Sequence, residues 1–401
     1  MIDIYDKFFQ LLRLTIGSST DIPLIQKEEW KSIYEIAQKQ SLMGVIFDGI
    51  QKMSDATKAA GDSMEMDINL LMNWMGICRQ IEKRNHQLDE AVGKVTAWFE
   101  KKGFRSCILK GQGNALMYPC QGHRTAGDID IWVSGKPSEV IQFVHSISPK
   151  EKASYHHIDF PEINGIPVEV HYRPCYLQNP LHNFRLQKYF RQSAEEQFLH
   201  KGRIGDTEVA IPTTRFNVVH QLVHIYNHLF QEGIGLRQIV DYYFVVNLWH
   251  IDGMKSKNQV VLQGELKRLG LRKFTGAVMY VLHEVLGLSE DKMIAPMDVK
   301  RGKLLLEEIL QGGNFGKYDK RNDFGNSSIG HNLQRLCRDF RLVRYYPAEA
   351  LSEPIFRTWH FFWRMNNKKQ YIYGRTAPSP IFLAIFRGMG LSSPFFIKLL
   401  P

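Results

Sequence analysis

Two carboxylates stand two residues apart in Gly127-Asp128-Ile129-Asp130-Ile131-Trp132-Val133, at the start of an apolar run. In an extended strand residues i and i+2 share a face, so Asp128 and Asp130 project together while Ile129 and Ile131 turn to the opposite side. A second run of the same kind, Ile166-Pro167-Val168-Glu169-Val170-His171-Tyr172, sets Glu169 between two valines. Hard oxygen donors of this kind suit Mg²⁺, with Mn²⁺ as the alternative, shared between protein carboxylates and substrate phosphates. The same Gly-Asp start also suits a plain turn into a strand, with Asp130 on a solvated face. His171 falls on the face of Glu169, where it either orients an acid, touches substrate, or lies at a strand edge as an ordinary polar residue.

Upstream, Cys107-Ile108-Leu109-Lys110-Gly111 reads as a short apolar strand ending in a Lys-Gly turn, followed by a helical stretch through Asn114-Ala115-Leu116-Met117-Tyr118. A glycine turn lets backbone approach phosphate, and a helix start offers free N–H groups to an anion. Strand, turn, helix and a strand with paired acids is an order that phosphate chemistry uses.

Lys110-Gly111, Arg124, Gly127-Asp128-Ile129-Asp130 and Glu169-Val170-His171 together resemble the nucleotidyltransferase superfamily of the DNA polymerase β type. The likeness is greatest to its uncharacterised bacterial branch with a Lys-Gly turn, an Arg ahead of Gly-Asp-x-Asp, and a Glu-x-His strand. The resemblance implies that Asp128 and Asp130 hold the catalytic metals, that Glu169 is the third acid, and that Gly111 makes the nucleotide-facing turn. It also implies a substrate-binding set of Lys110, Gly111, Arg124 and His171. The superfamily's usual turn is Gly-Gly or Gly-Ser, whereas this chain has Lys110-Gly111-Gln112-Gly113. Lys110 then either replaces the missing hydroxyl with a point charge on the triphosphate or is a surface lysine. Arg124 either neutralises phosphate or braces the loop against Asp128. The implied reaction is Mg²⁺-dependent transfer of a nucleoside monophosphate from a nucleoside triphosphate to an acceptor hydroxyl, with pyrophosphate released. The acceptor is open among protein, small molecule, sugar and RNA. The alternative is a catalytically silent nucleotide-binding regulator or scaffold.

The elements that must position these residues divide the chain into three expected regions: a helical region over 1–85, a nucleotidyltransferase-like core over 86–212, and a helical region over 213–401. The fold class is α+β, a mixed sheet flanked by helices. Amphipathic patterns mark helices over Ile4–Leu14, Lys27–Gln38 and Asp67–Lys101. Strand patterns fall at Cys107–Leu109, Ile129–Val133, Ser154–Phe160, Ile166–Tyr172 and Thr207–Ile211, with Asn164-Gly165 as a two-residue hairpin turn. Beyond Thr213, a helix carries His220, His224 and His228 on nearly one face. That spacing either binds zinc or marks core histidines. In the resembling branch His224, His228, Arg237 and Asp241 match helical positions that imply nucleotide or acceptor contacts.

Further along, Gly312-Gly313-Asn314-Phe315-Gly316 and Asn322–Ser328 form a polar loop, a candidate flexible cover for the cleft. The tail from Trp359 interleaves aromatics with Arg364, Lys368, Lys369 and Arg375, and ends in Phe382–Phe386 and Phe395–Leu400. Such a segment packs on its own protein, contacts RNA or lies on a membrane surface.

A chain of 401 residues with a net charge of +10 has room for a large core and suits an anionic substrate or partner, without a block of like charge that reads as a nucleic-acid arm. Its five cysteines, Cys78, Cys107, Cys120, Cys175 and Cys337, lack C-x-x-C spacing, so neither a disulfide framework nor a structural zinc site is expected. Acids near the N-terminus and the lack of a long apolar run make cytoplasmic residence, with no transmembrane segment, the expectation.

Overall fold

The structure, a computed structural model, describes residues 2–61, 64–252, 256–321, 324–325 and 327–373. Four helices come first: α1 (Ile2–Ile16), α2 (Trp30–Lys39), α3 (Met43–Ala59) and α4 (Ile68–Lys101). Asp67 starts α4 by accepting the backbone N–H groups of Asn69 and Leu70. The boundary expected after residue 85 falls inside this helix.

A four-stranded sheet follows, in the order β1 (Ser106–Ile108), β2 (Ile129–Val133), β4 (Ile166–His171), β3 (His157–Ile163). β2 runs parallel to β4, and the outer strands are antiparallel to their neighbours. Between β1 and β2 lies a single turn, α5 (Gln112–Ala115). The helix expected to run on through Tyr118 stops there. α6 (Pro137–Ile147) covers the sheet, and α7 (Pro180–Leu199) leads to the hairpin of β5 (Lys201–Ile204) and β6 (Thr207–Ala210).

The helical remainder is α8 (Thr214–Gln231), α9 (Leu236–Ile251), α10 (Ser256–Arg268), α11 (Arg272–Leu286), α12 (Val299–Gly312), α13 (Ser328–Val343) and α14 (Pro347–Tyr373). The α+β class is what the structure has.

Alternation along the strands sorts the sheet into two faces. Ile129, Ile131, Val133, Val168 and Val170 enter one apolar cluster with Leu88, Val92, Val95 and Phe99 of α4 and with Val140, Ile141 and Val144 of α6. The other face carries Asp130, Trp132 and His171. Trp132 stacks on Phe216 of α8, with ring centroids 5.7 Å apart, which docks the helical region onto the acid-bearing face. A larger apolar cluster joins residues of α1 to α3 with residues of α8, α9, α11 and α12, so the N-terminal and C-terminal helical regions share one core. On the tail, Phe356 stacks on Tyr176 and Trp359 meets Tyr155, so this part packs on its own protein. Arg375 and the two terminal aromatic runs lie outside the described residues.

Candidate active site

Parallel register sets Asp130 of β2 directly beside Glu169 of β4, and Trp132 beside His171. His171 Nε2 lies 2.9 Å from Asp130 Oδ1 and 3.4 Å from Glu169 Oε2. Donor atoms of Asp130, Glu169 and His171 all come within 4.8 Å of one another. Asp128, half-buried just before β2, stands beside this triple rather than in it.

Lys110 is neither at the surface nor free in the turn: its Nζ sits 2.8 Å from Asp130 Oδ1. Burial would push the Asp130 carboxyl up, but the ammonium of Lys110 and the imidazole of His171 outweigh it and hold Asp130 well below the usual carboxylate range. Asp128 behaves in the opposite way: the charge on Asp130 and then burial push it up to about 6, against the pull of Lys110. Burial opposes charge on His171, yet its hydrogen bonds to Asp130 and Glu169 raise it to about 8. Gly111 has φ 54°, and a Cβ there would lie 3.2 Å from the Asp128 carbonyl oxygen, so the turn approaches the acid loop because the residue is glycine.

The opposite wall of the cleft is helical. Arg124, expected either on phosphate or braced against Asp128, braces on Asp241 of α9 and not on Asp128, in a two-pronged pair at 2.8 Å from Nε and 2.7 Å from Nη2. Asp241 also accepts from Tyr118 Oη at 2.6 Å and Asn114 Nδ2 at 3.2 Å, and Gln221 of α8 holds Asn114 at 2.8 Å. This network ties α5 and the acid loop to α8 and α9. It leaves Arg124 Nη1 buried without a hydrogen-bond partner among the described residues. Arg237 donates to the Thr125 carbonyl at 2.7 Å, its Nε has no partner among them, and none of their carboxylates reaches it within ion-pair distance. Burial and the neighbouring Arg124 lower its pKa, the mark of a cation without sufficient counter-charge.

His224 and His228 line the same cleft, with Nε2 atoms 3.1 Å apart. No third donor joins them in a ligand cluster among the described residues, so the zinc reading gains nothing. His220 is fully buried against the Pro174 carbonyl, a core histidine.

The cleft between the two walls measures about 300 Å³. It is bordered by every candidate of the sequence reading: Lys110, Gly111, Arg124, Asp128, Asp130, Glu169, His171, His224, His228, Arg237 and Asp241. Also lining it are His156, His157, Tyr176 and Asn227, which the sequence reading missed, and Phe315, which it placed only within the expected cover. His157 reaches the cleft by pairing with His171 across the β3–β4 hairpin. The oxygen donors fit a hard divalent cation: Asp128 is unfavourably charged beside Asp130, and a cation there would relieve that repulsion.

Residues 26–287, well over half of the chain, match the family described as uncharacterised nucleotidyltransferase, and the chain belongs to that family. A solved structure of an antigenic nucleotidyltransferase-like protein from Paracoccidioides brasiliensis is similar at 11% identity and a TM-score of 0.27, over 41% of this chain and 77% of that one. No curated protein matches the chain. No helix among the described residues is long and apolar enough to cross a membrane.

Proposed function

We propose that this chain transfers a nucleoside monophosphate from a nucleoside triphosphate to an acceptor hydroxyl. The observation that carries this reading is a single cleft with acids on its sheet wall, Asp128, Asp130 and Glu169, and on the opposite wall the under-compensated guanidinium of Arg237 with the unpartnered Nη1 of Arg124 near it. A metal-bound triphosphate carries the complementary pattern. Arg237 and the free Nη1 of Arg124 receive phosphate oxygens, a task the sequence reading gave to Lys110 or Arg124. Asp128, Asp130 and Glu169 are the residues that would hold Mg²⁺ or Mn²⁺, which when bound neutralises phosphate charge and favours attack at the α-phosphorus. The acceptor oxygen forms a bond to the α-phosphorus as the α–β bridging bond breaks and pyrophosphate leaves. The acceptor's proton passes to a cleft carboxylate, Glu169 or one of the aspartates. Lys110 and His171 keep Asp130 ionised throughout.

A second reading, nucleotide binding without transfer, is favoured by Lys110 Nζ lying on Asp130 Oδ1, where an ammonium competes with a metal. One experiment separates the two. The full chain is incubated with each α-labelled triphosphate, Mg²⁺ or Mn²⁺ and a cell lysate, beside Asp128→Asn and Asp130→Asn. Label on a macromolecule or metabolite that disappears with both variants supports transfer. Metal-dependent nucleotide binding with no labelled product supports the silent reading, and absence of both binding and labelling sinks each.

A further inference from the structure

The Gly312–Gly316 segment, expected as a flexible cover, is clamped. A Cβ on Gly316 would lie 1.9 Å from the Glu232 carbonyl oxygen, and one on Gly233 would lie 2.8 Å from Gly316 Cα. Backbone thus packs directly on backbone between this segment and the connection from α8 to α9. Arg338 Nη2 fixes the Glu232 carbonyl at 2.9 Å, and the Tyr318 N–H closes the segment onto Gly312 at 3.0 Å. Between the clamped glycines, Phe315 is forced to φ 54° and ψ 29°, a left-handed conformation that a bulky residue rarely adopts. Core packing does not repay this strain, because Phe315 is only half-buried and its side chain lines the cleft. Its ring lies 5.1 Å from that of His228, and the Arg237 guanidinium carbon lies 5.6 Å from its centroid. Arg237 thus joins the ring to the loop that carries Asp128, since it also donates to the Thr125 carbonyl three residues before that acid.

We propose that Phe315 is the stacking platform for the nucleobase, which takes the ring face that the Arg237 guanidinium does not cover, so that the ligand this subsite takes is the aromatic base of a nucleotide whose phosphates lie toward Arg237. The inference rests on the triphosphate reading above. Stacking on a planar ring tolerates every base and contributes affinity that phosphate contacts do not.

The test is titration calorimetry on the full chain with two probes in Mg²⁺, ATP and inorganic tripolyphosphate, comparing wild type, Phe315→Gly and Phe315→Trp. Glycine holds the left-handed backbone without the ring, so the loop survives the substitution. The expected result is ATP binding weakened by about tenfold or more in Phe315→Gly, with tripolyphosphate binding unchanged and Phe315→Trp close to wild type for both. Wild-type affinity for ATP in Phe315→Gly overturns the inference while leaving the triphosphate reading standing. Equal loss of both probes, or a Phe315→Trp as weak as Phe315→Gly, overturns it too, by making the residue a support for the phosphate wall. Failure of wild type to bind either probe overturns the triphosphate reading and the inference together.

Discussion

The two walls of the cleft solve the same problem, how to keep charge in a poorly hydrated place, in different ways. On the sheet wall, Asp130 is over-supplied with partners, Lys110 at 2.8 Å and His171 at 2.9 Å, while the neighbouring Asp128 is left to absorb the repulsion. On the helical wall, Asp241 satisfies Arg124 almost completely, while Arg237 is left with one neutral carbonyl. Each wall therefore has one well-partnered charge and one left short of partners. The lesson is a division: Asp130 and Asp241 are the well-partnered charges of their walls, and Asp128 and Arg237 the poorly compensated ones.

That division separates two pairs of variants. Asp130→Asn leaves Lys110 and His171 without their shared anion, so it lowers unfolding stability by about 3 kcal/mol, as breaking a buried pair does. It also lowers transfer by roughly three orders of magnitude, the scale of removing several kcal/mol of transition-state stabilisation. Asp128→Asn lowers transfer comparably, yet its stability stays level or rises by up to about 1 kcal/mol because a like charge beside Asp130 is gone. Urea unfolding of both proteins decides it, and equal destabilisation would break the comparison.

On the helical wall, Asp241→Asn strands the Arg124 guanidinium and loosens Tyr118 and Asn114, a loss of about 3 to 5 kcal/mol read as a fall in melting temperature. Arg237→Gln removes a cation whose charge burial already opposes, so melting is unchanged or slightly higher. Its triphosphate affinity falls by roughly tenfold, the worth of a charge-assisted hydrogen bond. A destabilised Arg237→Gln with normal affinity would reverse the roles assigned to the two residues.

How much of this could be read beforehand follows from the range of the interactions. β2 and β4 were legible because alternation along a strand is local, and the Asn164-Gly165 turn announces itself, with both residues at positive φ. The face of Glu169 and His171 was legible for the same reason. The partner of Arg124 was not, since Asp241 lies more than a hundred residues away and nothing near Arg124 distinguishes Asp128 from it. His157 was hidden by a register shift between Phe160 and Ile163. Counting back evenly from the turn sets His157 opposite Tyr172, but the extra residue next to Pro161, which has no N–H to give the ladder, moves it opposite His171 and into the cleft. The Lys-Gly turn was visible, while the place of the ammonium on Asp130 depends on how β1 and β2 pair.

The smallest expected effect concerns histidines on either side of the same boundary. Outside the cleft, His123 is held between Asp48, at 2.5 Å from Nδ1, and Glu82, at 2.8 Å from Nε2. The hydrogen bond to Asp48 raises its pKa, burial opposes this, and Glu82 adds to the rise. Within the cleft wall, burial and then Lys110 push His224 down, so it stays neutral. A raised histidine contributes stability that is complete below its unfolded value of about 6.5 and is lost as pH climbs through the folded-state pKa. A lowered one does the reverse, losing stability as pH falls below about 6.5. His123→Gln should therefore reduce stability more at about pH 6 than at about pH 8.5, whereas His224→Gln should relieve a penalty only on the acid side. Because Glu82 is about a third exposed, the His123 difference is expected to be about 1 kcal/mol or less. Urea midpoints for the two variants at both pH values test this, and parallel curves would show that His123 carries no more charge in the folded chain than His224.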